Sequence, residues 1–336
     1  AFNGCSQIKE IIIPDSVTEL GEYAFSSDSN ATKLSIGSGI TTIPSYAFAN
    51  CSALTTVTVP NTVTTINAAA FIGCSSLNEI TLPFVGQSRT ATGPESAFGY
   101  IFGTTYIEEA NQSNYYIYDK STTNETTTIG TRKSTRSTDF VPARVAYSSS
   151  SWDPNVSTSL KYAWYSCYDY KDSSYYYLRT YYYSIPTTLK TVAITDATNI
   201  SDGAFNNCKK ITDIYLNDGI TTLGDYAFAN ATVLKNFTIP QTVTSIGEGA
   251  FYEDSALTEM YIPDGVTDIK SYTFYGCTNI NKLVIGKNVK NIGDYAFYNN
   301  SSLTSLNIPE KVASIGASAF NGCSQIKEII IPDSVT

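Results

Sequence analysis

Residues 54–74 read LTTVTVPNTVTTINAAAFIGC. Leu54, Val57 and Val59 space their apolar side chains as L-x-x-V-x-V, and the last pair alternates with period two, the signature of a short half-buried strand. Pro60 follows at once and cannot donate to a strand ladder, so the strand ends there. A second extended piece carries Val63 and Ile66, and the Ala70–Phe71 pair then opens a tight turn or a single helical turn. Such a segment has one apolar face and no means of burying it alone.

The same phrase recurs along the chain. Ala-Phe, or once Thr-Phe, begins at 1, 24, 47, 70, 97, 204, 227, 250, 273, 296 and 319. The spacing is 23 residues throughout, apart from intervals of 27 and 107. The apolar positions travel with it: Phe228, Leu234, Phe237, Ile239, Val243 and Ile246 in one copy, and Phe297, Leu303, Leu306, Ile308, Val312 and Ile315 in another. A fixed period of this length predicts coils that stack, pair strands in parallel and share one continuous core. The expected fold class is therefore a β-rich solenoid: a right-handed stack of 23-residue coils with short parallel strands, interrupted by a Tyr-rich, mainly β insert.

The pattern resembles the BspA-like, or TpLRR-type, leucine-rich repeats, whose motif is close to L-x-x-I-x-I-P-x-x-V-T-x-I-G-x-x-A-F-x-x-C. Residues 54–74 and LTEMYIPDGVTDIKSYTFYGC at 257–277 match it well. The resemblance spans roughly 1–98 and 188–336. It implies a leucine-rich-repeat coil stack, exposure at a cell surface, and adhesion to matrix proteins, host cells or other microbes.

A second period lies above the first. Residues 1–18 and 319–336 are identical at every position, whereas other coils match residues 1–18 at six (296–313), seven (47–64) or nine (250–267) positions. This predicts blocks of 318 residues that follow one another head to tail. A recent duplication leaving two copies, or an overlap that only caps the solenoid, would leave the same trace. The chain also starts inside a coil, so the gene product is expected to extend beyond it.

The 107-residue interval divides the chain into coils at 1–98 (irregular at 83–96), an insert at 99–187, and coils again at 188–336, of which 319–336 repeat 1–18. Sixteen of the 26 Tyr and both Trp fall in the insert. YYIYDK (115–120) and YYYLRTYYYS (175–184) read as hairpin strands. Three readings stand side by side: a small β subdomain with a Tyr-based core, a recognition knob, or a dock for a neighbouring block. For the last two the contact residues are Tyr115, Tyr116, Tyr118, Trp152, Trp164, Tyr175, Tyr177, Tyr181 and Tyr183, because Tyr and Trp supply rigid amphipathic contact area.

Chemistry is poorly represented. The chain has no His, which removes Ser-His-Asp and Cys-His nucleophile systems and His-ligated zinc. No phosphate-cradling glycine loop is present. A net charge of -9 disfavours nucleic acid and anionic membrane surfaces, and no apolar run is long enough to span a bilayer. Six of the seven Cys (Cys5, Cys51, Cys74, Cys208, Cys277, Cys323) share one coil position, which elsewhere holds Asp, Asn or Ala. That reads as a packing position for buried free thiols. Only Cys51 and Cys74 lie on adjacent coils, where a ladder disulfide is within reach, and Cys167 is alone in the insert. Asn-x-Ser/Thr triplets make Asn30, Asn111, Asn124, Asn155, Asn230 and Asn299 candidate glycosylation sites. Asp residues after Pro, as in IPDS (13–16) and IPDG (262–265), offer a calcium row or simple turn formers.

These readings combine into a non-enzymatic extracellular or cell-surface protein with no cofactor, no metal and no catalytic residue. Its expected role is that of a structural repeat unit in a surface fibre or tandem-repeat surface protein, whose partners are copies of itself. The alternative is an adhesin module that binds a host or microbial protein or glycan through the insert, and a secreted carbohydrate-active enzyme is a distant third.

Overall fold

In the computed structural model the described residues are 1–110, 116–117, 127–128, 163–172 and 175–336, with side chains described outside 105–182. The chain forms a parallel β-solenoid of about 11 turns with almost no helix. Each L-x-x-I-x-I phrase becomes a strand of two to four residues. The strands Glu10–Ile13, Lys33–Ile36, Thr56–Thr58, Glu79–Leu82, Thr191–Ile194, Asp213–Leu216 and Asn236–Phe237 form one sheet in that order. Pairing is parallel, with Ile11 opposite Leu34 and Val57 opposite Ile80. Inward residues are buried and outward ones exposed, so Glu10–Ile13 alternates exposed and buried side chains.

Pro closes many of the strands and starts a turn. The carbonyls of Pro14, Pro60, Pro240, Pro263 and Pro309 accept from the amides of Val17, Val63, Val243, Val266 and Val312 at about 3 Å. The following V-T-x-I piece makes a second ladder, seen where Asp268–Ile269, Asn291–Ile292 and Ser314–Ile315 pair in parallel.

The Ala-Phe corner is a non-helical turn, and two residues in it adopt left-handed backbone. Examples are Tyr272 (φ 59°), Tyr295 (φ 55°), Asn50 (φ 58°), Asn230 (φ 59°) and Gly276 (φ 70°). This geometry turns the Phe inward and sends its amide to the next coil. Phe48 N donates to Ala70 O at 3.0 Å and Phe251 N to Thr273 O at 2.9 Å. The Phe rings then stack in columns: Phe228, Phe251, Phe274 and Phe297 sit at 5.2–5.3 Å between centroids, within 7° of parallel. Burying each ring contributes about 1.5–3 kcal/mol.

The insert does not break the stack. Thr191–Ile194 pairs directly with Glu79–Leu82, so the coils on either side are neighbours. Residues 83–103 fill the gap as an irregular corner with two 3-10 turns, Gly93–Ser96 and Phe98–Phe102. Gly99–Phe102, placed in the insert by the sequence reading, thus pack with the solenoid: Phe98, Ile101 and Phe102 are fully buried. The chain leaves after Gly103 and returns at Ser184, whose amide donates to Gly103 O at 3.0 Å. At the root, Thr104–Ala110, Tyr175–Tyr183 and Ala163–Asp172 form an antiparallel sheet, with Tyr175–Tyr183 in the centre.

Candidate functional site

The expected contact residues divide into two groups. Tyr115, Tyr118 and Trp152 lie outside the described residues, and Tyr116, Trp164, Tyr175, Tyr177 and Tyr181 lie in strands whose side chains are outside them. Tyr183 is described, and it does not present a contact surface. It is 1% exposed, and its hydroxyl donates to Pro94 O at 2.9 Å, so it roots the inserted sheet in the solenoid. Asn111, Asn124 and Asn155 also lie outside the described residues. Asn30 and Asn299 are exposed and Asn230 is half-buried; the Asn30 amide already donates to Ser6 O at 2.7 Å.

The shared cysteine position has a definite local role. Cys51, Cys74, Cys277 and Cys323 donate Sγ–H to the carbonyls of Phe25, Phe48, Phe251 and Phe297, each 26 residues earlier, at 3.0–3.3 Å. Cys51, Cys74, Cys208 and Cys277 are buried, Cys323 is half-buried and Cys5 is exposed. All six are free thiols, including the adjacent Cys51 and Cys74. Desolvation pushes the Cys51 thiol up to about 12, which removes it from nucleophilic chemistry. Cys167 lies in a strand whose side chains are not described.

The Asp residues of the turns act as brackets between coils. Asp15 Oδ1 accepts from Ser38 N at 2.7 Å, and Asp264 Oδ1 from Lys287 N at 3.0 Å. These bonds hold both carboxyls below their ordinary range; at Asp264 the bond from the Lys287 side chain is the larger cause. Among the described residues no group of three His, Cys, Asp or Glu is placed to hold a metal ion.

One surface that the sequence reading passed over is built from tyrosines outside the insert. Tyr252, Tyr275 and Tyr298 stack at 4.7 and 4.9 Å, within 4° of parallel. Tyr272 and Tyr295 form a second column at 5.2 Å. The columns meet at 5.7–6.0 Å with ring planes 50–55° apart. Tyr226 joins at 6.3 Å from Tyr252, leaning into space left by Gly249, where a Cβ would sit 2.3 Å from its ring. The result is one half-buried ribbon of six rings. The signal was legible in principle: Tyr recurs just before the Ala/Thr-Phe pair and just after the Phe in consecutive coils.

Beside the ribbon runs an open groove of about 480 Å3, lined among others by Glu248, Asp268, Asn291, Asp294 and Ser314. Its floor is a hydrogen-bonded row, one residue per coil. Asn291 Nδ2 donates to Asp268 Oδ1, and Ser314 Oγ donates to Asn291 Oδ1 at 2.8 Å. The bond from the Asn291 amide, and after it one from the Thr267 hydroxyl, hold the Asp268 carboxyl below its usual range, so Asp268 keeps its negative charge at neutral pH. Among the described residues no helix is long and apolar enough to cross a membrane.

No curated protein matches the chain in sequence. Among solved structures, a leucine-rich repeat protein from Bacteroides ovatus is similar over 100% of this chain and 76% of its own, with 21% identity and a TM-score of 0.46. A leucine rich cell surface protein from Faecalibacterium prausnitzii is similar over 98% of this chain and 83% of its own, with 21% identity and a TM-score of 0.36. The leucine-rich repeat protein of T. pallidum aligns over 42% of this chain and 67% of its own, with 24% identity and a TM-score of 0.31. The sequence profile described as BspA type leucine rich repeat region matches in six copies, over residues 1–101, 176–304 and 244–336. The chain therefore belongs to the BspA-type leucine-rich repeat family.

Proposed function

We propose that this chain is a block of a non-catalytic structural rod at a cell surface, in which 318-residue blocks follow one another head to tail. The observation that carries this reading is that one 18-residue sequence docks on both of its sides. As residues 1–18 it packs against the coil that follows. Phe2 stacks on Phe25 at 5.3 Å, Phe2 N donates to Ala24 O, Glu10 pairs with Lys33, and Asp15 accepts from Ser38 N. As residues 319–336 it packs against the coil that precedes. Phe320 stacks on Phe297 at 5.3 Å, Ala319 O accepts from Phe297 N, and Cys323 donates to Phe297 O. A coil of this sequence thus fits between residues 296–318 of one block and residues 24–46 of the next, with every contact already realised on one side or the other.

Ten coils per block, at a ladder spacing of about 4.8 Å, advance the rod by about 50 Å and present one insert per block. A surface location is supported by the family's repeats and by the likeness to the F. prausnitzii cell surface protein. The test is microscopy and intact mass of native surface material identified with an antibody against this chain. Rods with a knob about every 50 Å are expected. A native species near 36.5 kDa, one block in length, would overturn the reading.

A further inference from the structure

The tyrosine ribbon occupies positions at which the fold asks for something else. Tyr272 and Tyr295 hold left-handed backbone, where a bulky L-residue is strained and Gly or Asn is favoured. In other coils the same corner position is Tyr23, Tyr46 or Tyr226, or the smaller Ala69, Gly203, Gly249 or Ser318. The position of Tyr252, Tyr275 and Tyr298 is Ser26, Ala49, Asn206, Ala229 or Asn321 elsewhere. Coils with a smaller residue at this corner stack without a tyrosine, and where the strained tyrosine is kept it meets another ring: Tyr23 on Tyr46 at 4.9 Å, and Tyr272 and Tyr295 in the double column with Tyr275 and Tyr298. Strain kept at a position the scaffold does not need points to a role in recognition.

The neighbouring groove supplies the matching polar half. The Asp268–Asn291–Ser314 row fixes a carboxylate, an amide and a hydroxyl at consecutive rungs, and the groove ends at Ser271 and Asp294, one residue before Tyr272 and Tyr295. The stacked columns cover most of their ring faces and present ring edges and hydroxyls, which beside planar polar side chains can hold sugar rings by hydrogen bonds to hydroxyls and by edge contact with apolar C–H groups. The repeat is one tyrosine and one polar group every 4.7–5.2 Å, close to the advance per ring of an extended polysaccharide. Glu248, Asp268 and Asp294 outnumber Lys270 in the groove lining and give it a net acidic character that disfavours uronic acids and sulfated sugars.

We infer that the face formed by Tyr272, Tyr275, Tyr295, Tyr298 and the Asp268–Asn291–Ser314 row binds an uncharged polysaccharide lying in extended form along the solenoid axis. The site is separate from the insert and does not depend on head-to-tail assembly.

Affinity electrophoresis of the full chain tests it, in gels cast with soluble mixed-linkage β-glucan, with β-mannan, or with hyaluronan as an acidic control. Retardation by at least one neutral polymer and none by hyaluronan is expected. The double variant Tyr272→Ser/Tyr295→Ser, using the residue that Ser318 already supports in left-handed backbone, should weaken retardation about tenfold while circular dichroism is unchanged. No retardation by either neutral polymer, equal retardation of the double variant, or preference for hyaluronan would each overturn the inference. Should the variant misfold, amide and ring shifts of the unmodified protein titrated with the corresponding oligosaccharide decide the matter. Shifts at Tyr272, Asn291 and Tyr295 support the site, and shifts confined to the insert overturn it.

Discussion

The cysteine position shows how one coil site sets a local electrostatic problem. At Cys51, Cys74, Cys277 and Cys323 a weak S–H donor meets a Phe carbonyl. At Asp254 the same site is fully buried; Oδ1 accepts from Ala231 N at 2.7 Å, and Oδ2 has no hydrogen-bond partner. Desolvation raises this carboxyl well above its usual range, against the Ala231 amide that lowers it, and the neighbouring Glu253 charge raises it further. The folded state therefore keeps the neutral acid where an unfolded chain ionises near pH 4. Protons are bound more tightly by the folded state, so this group's contribution is full below the unfolded pKa and falls as pH rises toward the folded one. Asp254→Cys, able to donate to Phe228 O, is expected to raise stability at pH 7 by about 1–3 kcal/mol and by less at pH 4. Denaturant unfolding at the two pH values measures this, and an equal gain at both would contradict the account. The sequence shows the Cys/Asp/Asn variation plainly. It does not show which member lacks a partner, because that depends on the neighbours one rung above and below.

At the scale of elements, the strands were legible and the corners were not. L-x-x-I-x-I marks where the strands begin, and Pro where it follows marks where they stop, since alternation and a missing amide are properties of the residues themselves. The corner after it is built on left-handed residues, and Tyr272 or Glu253 (φ 59° each) gives no local sign of that state. The boundary of the insert was read at 98/99 for the same reason: nothing in Gly99–Phe102 reveals that a sheet strand will fold back over it. At Gly99 the two pieces approach closely. A Cβ there would lie 2.3 Å from Tyr183 Cβ and Cγ, and Tyr183 is the residue that anchors the inserted sheet through Pro94 O. Gly99→Ala should dislodge that anchor at a cost of about 1–3 kcal/mol, the usual range for overpacking. Limited proteolysis provides the readout. Faster cleavage within 104–183, with the coils on both sides still protected, is expected, and an unchanged pattern would show that Tyr183 is not the anchor.

Across the whole molecule, stability is a sum over neighbouring coils, because each coil touches only the next. The two copies of the 18-residue sequence make this visible. Ile11 and Ile13, covered by the following coil, are 2% and 4% exposed, while their equivalents Ile329 and Ile331 are 41% and 57% exposed. The strand side chains lean toward the following coil, while at the Phe corner it is the first copy that is open, with Phe2 50% exposed and Phe320 half-buried, so an open stack leaves apolar surface at both ends. Adding a following block would bring Lys33 to Glu328 and Ser38 N to Asp333, the counterparts of contacts already present at residues 10 and 15. It would also bury the Ile pair, and at about 1.5–3 kcal/mol for a fully buried Ile the joint should gain roughly 1–3 kcal/mol from the partial exposure removed. A chain carrying residues 1–318 twice and ending with the 18-residue sequence is therefore expected to unfold at a higher denaturant midpoint than residues 1–336. Amide exchange at 319–336 should slow to match that at 1–18. If the two blocks instead unfold at the midpoint of one, with the joint exchanging as fast as the open end, the 18-residue match is a trace of duplication and the coils do not stack across it.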